Sequence, residues 1–218
     1  MTSTETGEST VNDLSFWSWL LRPANDQRLA GEVSLARAAL GILLLVALYG
    51  LAAGFFQGGR QLLVSAFKFP LLLTGTLLLC LPSLLVFAAL AGAHFSVRGF
   101  LTAVLGFSGR LALLAVAMMP IVWLFSVSTQ FLLVAITMHV MIWAFALGLA
   151  RQSLIFHDEL RPVRRVVLLW LLLVWVVGLQ VATVCRPVLF TPEGGPLFES
   201  GKSFFLEHFD DAAGMKSP

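Results

Sequence analysis

His139 has the most chemistry to offer in this chain. It lies inside a hydrophobic run between Met138 and Met141, with Met118 and Met119 one segment earlier. An imidazole among thioethers is a donor set suited to haem or copper. Haem needs a second axial ligand at the same depth, and His94 and His157 both fall at the ends of hydrophobic segments. Copper needs two or three converging ligands, which adjacent residues on one helix do not supply. The spacing favours an imidazole bonded to Thr137, Ser126 or a carbonyl across a helix pair, with no metal and no cofactor. Nucleophilic catalysis meets the same shortfall, because Ser83 or Cys80 paired with His94 or His139 lacks an elbow motif and an orienting acid. No carboxylate occurs between Glu32 and Asp158. That gap argues against aspartyl and zinc proteolysis inside a membrane, and against a carrier coupled to protons or cations through an intramembrane acid. No catalytic residue is expected.

Gln180 and Arg186 stand at the end of the last hydrophobic run. An amide in hydrocarbon gains from an interhelical partner, so Gln180 is expected to hold a helix in register. Arg186 follows six positions later, and at ~100° per residue the two lie on nearly opposite sides of a helix. Separate jobs follow from that geometry. Arg186, with Phe190, Phe198, Phe204 and Phe205, is expected to orient the carboxyl-terminal tail (186–218) toward a partner. The tail is rich in proline and glycine up to Phe198, and 203–209 then forms a short amphipathic stretch. Its phenylalanines need cover from the outer leaflet, the rest of the chain or a partner protein.

The elements that must position these residues are membrane spans. The chain is 58% hydrophobic and 12% charged, while an ionisable group at mid-bilayer costs ~2.5–3.5 kcal/mol on insertion scales. A formal charge of +2, with the bases scattered, gives no basic stripe for nucleic acid. Cys80 and Cys185 differ too much in depth for a disulfide. Residues 1–13 read as a disordered leader, without the pattern of a cleaved signal peptide. Residues 14–34 hold an interfacial helix, where Trp17, Trp19 and Arg22 suit the headgroup level, followed by a linker.

The five-span domain occupies 35–185, with spans expected at 38–56, 70–92, 111–127, 131–150 and 166–185. Gly50 and Gly54 form a small-xxx-small packing face. Pro70 suits the first turn of the second span, Pro82 must kink its middle and Pro120 must kink the third, with Ser83 and Ser126 bonding the freed carbonyls. Arg110 is placed at an interface, so 100–108 is expected to lie along the membrane. The third and fourth spans then form a tight antiparallel hairpin. Nine Lys and Arg residues fall on the amino-terminal side against five on the other, which places the amino terminus in the cytoplasm and the carboxyl terminus outside.

The segment from Phe67-Lys68-Phe69-Pro70 through Cys80 to Pro82-Ser83, then Met119-Pro120 with Phe125 to Thr129, then Gly178-x-Gln180 leading to Arg186-Pro187 and Pro196-Leu197-Phe198, resembles uncharacterised bacterial five-span proteins that are distantly similar to the Yip1 family. The resemblance covers residues 35–206, although Val188-Leu189 interrupts the Arg-Pro-Phe motif. It implies a protein that binds partner membrane proteins and small GTPases and shapes membranes, with no catalytic residues to carry across. The chain is therefore read as an all-α polytopic transmembrane bundle of about five spans with an amino-terminal interfacial helix. Its expected role is a non-enzymatic scaffold or assembly subunit of the inner membrane, whose partners are membrane lipids and other membrane protein subunits. A permease or channel-like component is the alternative. A membrane-bound enzyme or cofactor carrier centred on His139 is the second.

Overall fold

In lipid no water is at hand for backbone N–H and C=O groups, so each long apolar run must satisfy them within itself and becomes a helix. The computed structural model describes residues 20–21, 34–56, 58–94 and 96–185. Its elements are α1 (Leu35–Gly54), α2 (Gln61–Leu90), α3 (Val97–Ala117), α4 (Met119–Ser128), α5 (Leu132–Ala150) and α6 (Gln152–Ile155). A 3-10 turn (Arg161–Val163) then leads into α7 (Arg164–Val184). The five helical segments Leu35–Gly54, Gln61–Leu90, Val97–Ala117, Leu132–Ile155 and Arg161–Val184 are long and apolar enough to cross a membrane. The described residues are all-helical, and the arrangement is that of a multi-pass membrane protein. Leu78, Leu79, Leu169 and Leu172 lie exposed on α2 and α7, an outward apolar face that suits lipid and not water.

The first connection is a glycine turn. Gly58 and Gly59 have φ of 75° and 52°, a left-handed backbone that glycine adopts without a Cβ penalty. It reverses α1 into α2, which starts nine residues before the expected 70. The 30-residue α2 is about 45 Å long against a hydrocarbon core of ~30 Å. Its first turns carry Gln61, Ser65 and Lys68, all buried against neighbouring helices. Lys68 is thus a packed residue inside α2 and not a loop residue ahead of it.

The third region departs furthest from expectation. Residues 100–108 do not lie along the membrane: they belong to α3, which runs unbroken through Arg110. Side chains on a helix lean toward its amino terminus, and the Arg110 guanidinium accordingly reaches Ser153 of α6 and donates to its Oγ. With a polar acceptor supplied by the protein, Arg110 does not interrupt the helix. Pro120 does not kink a span either. It sits in the first turn of α4, where its missing N–H would be unused in any case. The break falls at Met118, and a short connection (129–131) then joins α4 to α5, which packs on both α3 and α4. Pro82 does lie within α2, which continues through it. Its missing N–H leaves the Leu78 carbonyl without a helical donor, but Ser83 Oγ donates to Cys80 O at 2.7 Å instead, and Ser126 Oγ has no partner. α4 packs on α1.

Of the expected interfacial helix at 14–34, only Leu20 and Leu21 are described up to Val33, and both are helical. Leu20 is 2% exposed and occupies the space that a Cβ on Gly109 would fill, with Ile42 alongside. It is anchored between α1 and α3 and does not merely rest on lipid.

Candidate functional site

The helices alternate direction, so the bundle has two ends. At the far end α1 stops and α2 starts, and the carboxyl terminus of α7 reaches the same level. At the near end α1, α3 and α7 begin.

The far half is built on a glycine seam. A Cβ on Gly50 would meet Ser65 O at 2.5 Å and Ala66 Cα at 2.9 Å, and one on Gly54 would meet Leu62 Cα at 2.6 Å. Only hydrogen at these two positions lets the α1 and α2 backbones come so close. The close approach sets Tyr49, next to Gly50, edge-on to Phe69 of α2, with ring centroids 5.2 Å apart and planes at 77°.

His139 and Trp143 enter the same place from α5, four residues apart on one helix face. Tyr49 lies 5.9 Å from the His139 ring and 5.4 Å from Trp143, edge-on to both. Phe69 stacks on Trp143 at 6.4 Å and lies 6.0 Å from His139. The result is a four-ring box drawn from α1, α2 and α5. Tyr49 is completely buried and His139 is 6% exposed. The imidazole does not reach Thr137, Ser126 or a carbonyl on another helix. Its Nδ1 bonds Ala135 O of its own helix at 2.7 Å, because the i−4 carbonyl is the acceptor within reach of a helical histidine. The Tyr49 hydroxyl faces the Trp143 indole N–H but falls short of hydrogen-bond geometry, and both atoms lack a partner.

Between α2 and α7 the packing is close and polar groups meet across it. Thr76 lies against Gly178, where an added Cβ would stand 3.6 Å from Thr76 Cγ2, and a Cβ added to Gly75 would stand 3.9 Å from Val181 Cγ1. Lower down, Trp170 Nε1 donates to Cys80 O at 2.7 Å, the same carbonyl that Ser83 binds. Gln180 of α7 is half-buried and takes part in an interaction of its own.

At the near end the loop after α6 folds back over the first turn of α3. Ser96 caps that helix, its Oγ accepting from Gly99 N at 3.0 Å, and donates to Glu159 Oε1 at 3.3 Å. The Glu159 carboxylate lies where a Gly99 Cβ would be, at the positive end of the helix dipole. His157 beside it is buried. Burial holds its imidazole below the ordinary histidine range, while the Glu159 and Asp158 carboxylates pull the other way. Gly99→Ala is expected to displace only the flexible end of Glu159. It should therefore lower stability by no more than ~1 kcal/mol, the usual size of a charge-to-helix-end contact. Thermal unfolding of the detergent-solubilised variant checks this, and a loss several times larger would mean the loop is held by more than that carboxylate.

Of the residues singled out from sequence, Gly50 and Gly54 abut α2, Pro82 lies within α2, Pro120 opens α4 and Gln180 lies near the end of α7. The structure does not bring these into one site. Arg186, Phe190, Phe198, Phe204 and Phe205 lie outside the described residues. Tyr49, Phe69, Trp143 and Lys68 were missed. Tyr49 is the only tyrosine in the chain, and its place one residue before the Gly50 face was the available signal. Among the described residues no group of three His, Cys, Asp or Glu side chains is placed to hold a metal ion. The chain matches no family model, no curated protein and no solved structure.

Proposed function

We propose that the protein is a multi-pass protein of the bacterial inner membrane that acts without catalysis, as a scaffold or assembly subunit of a membrane protein complex. The observation that carries this reading is the use made of polar groups in the bundle. Arg110 is tied to Ser153 and Trp170 to Cys80 O, so these polar side chains bind one helical segment to another. Polar residues inside a membrane are costly and are kept where they bridge helices or serve a path. Here they bridge. The resemblance to five-span proteins distantly similar to the Yip1 family fits the same reading, with partner proteins and lipids as ligands, and the tail carrying Arg186 and Phe190 as the partner-facing element.

The excess of Lys and Arg on the amino-terminal side, nine against five, supports a cytoplasmic amino terminus and an extracytoplasmic carboxyl terminus. A reporter fused after Pro218 is expected to behave as extracytoplasmic and one inserted beside Asp158 as cytoplasmic. Both on one side would overturn the five-crossing arrangement. For the role itself, native mass measurement after mild detergent extraction is expected to find the protein with partner subunits, and deleting the residues after Thr191 to release them while the bundle stays folded. A chain that travels alone at native expression would remove the scaffold reading.

A further inference from the structure

The aromatic box carries three buried polar atoms with no partner in the protein: Tyr49 Oη, His139 Nε2 and Trp143 Nε1. Buried polar atoms are nearly always satisfied in native proteins, so three in one box ask for a common explanation. Their chemistry narrows it. Ala135 O can only accept, so His139 Nδ1 carries the proton of that 2.7 Å bond, and in the neutral ring Nε2 is a bare acceptor. The Trp143 indole can only donate, and the Tyr49 hydroxyl does either. An ammonium could serve Nε2 but would leave the indole N–H unmet. A carboxylate could serve the indole but would leave Nε2 unmet. A hydroxyl donates to Nε2 and accepts from the indole and the phenol, which satisfies all three.

The three rings are neighbours, the Tyr49 centroid lying 5.9 Å from that of His139 and 5.4 Å from that of Trp143. Tyr49 and His139 are sealed within the bundle, while Trp143 is partly exposed at its surface. We propose that Tyr49, His139 and Trp143 form a binding site for a single hydroxyl group, supplied by one water molecule or by the hydroxyl of a lipid headgroup entering beside Trp143.

The test is 15N solid-state NMR of His139 in the full chain, in bilayers of phosphatidylcholine, whose headgroup has no hydroxyl, and in bilayers containing phosphatidylglycerol. The expected result is an Nε2 resonance displaced from that of a free acceptor, receiving magnetisation from water in both bilayers and shifting on Tyr49→Phe. Displacement only with phosphatidylglycerol, with transfer from glycerol protons, assigns the hydroxyl to lipid and equally supports the site. A free-acceptor resonance in both bilayers, or a displaced one that ignores Tyr49→Phe, overturns it. The wild-type spectra decide the first of these even if the variant fails to fold, and none of the outcomes depends on the scaffold reading.

Discussion

Replacing Trp170 with alanine is expected to destabilise the bundle by about 3 kcal/mol, the lower end of what emptying an aromatic core site costs. The lower end applies because the separated helices would still reside in lipid, which solvates an indole far better than water does. Two contributions add up at this residue. The ring is 2% exposed and meets Phe107 of α3 at 6.2 Å and 64°, so its loss leaves a void between α3 and α7. Its N–H reaches Cys80 O at 2.7 Å, tying α7 to the part of α2 disturbed by Pro82. Trp170→Phe keeps most of the volume and drops only the hydrogen bond, so it should cost about 0.6 kcal/mol, the mean for such bonds inside membranes. Denaturant titration of the two variants in mixed micelles separates the effects. If Trp170→Phe proved as damaging as Trp170→Ala, the hydrogen bond and not the packing would dominate, contrary to the sizes assigned here.

Gly50→Ala and Gly54→Ala are each expected to lower stability by roughly 1–3 kcal/mol, the range for forcing extra volume into a packed contact. The new methyl groups would strike backbone atoms of Ser65 and Leu62, and backbone cannot rotate away as a side chain does. α1 and α2 must then move apart. Such a shift also opens the Tyr49–Phe69 contact and loosens the aromatic box, so Trp143 fluorescence should change with stability. Gly148→Ala is the control. Nothing lies within 4 Å of its added Cβ, and alanine favours a helix by up to about 1 kcal/mol over glycine, so that variant should unfold no earlier than wild type. Equal melting temperatures for Gly50→Ala and Gly148→Ala would show that α1 and α2 do not approach as described.

Much of this was legible along the chain because the signal is one of solvent. A run such as 166–185, without a charge, has one low-energy form in hydrocarbon, and α7 (Arg164–Val184) follows it within two residues. Gly50 and Gly54 at a spacing of four mark one helix face whatever lies against it. The course of 100–108 was misread because a charge in an apolar run marks the end of a span only when the protein offers it nothing closer. Ser153 is 43 positions away in sequence, and no local pattern announces that pairing. Pro120 was misread for a related reason, since proline is as much at home in a first turn as at a kink, and the break at Met118 decides between the two.

The amino-acid sequence by itself determined the all-helical architecture, the number of helices able to cross a membrane and the absence of an intramembrane acid between Glu32 and Asp158, because hydropathy and backbone satisfaction in lipid act locally. Only the tertiary structure decided which polar groups meet. Tyr49, Phe69, His139 and Trp143 come from three helices and share a box because the glycine seam sets the α1–α2 distance. The Trp170 N–H finds Cys80 O, ninety positions away, because α2 and α7 pack antiparallel in one register. Such pairings depend on helix rotation and depth, quantities to which hydrophobic periodicity in a uniformly apolar helix is nearly blind.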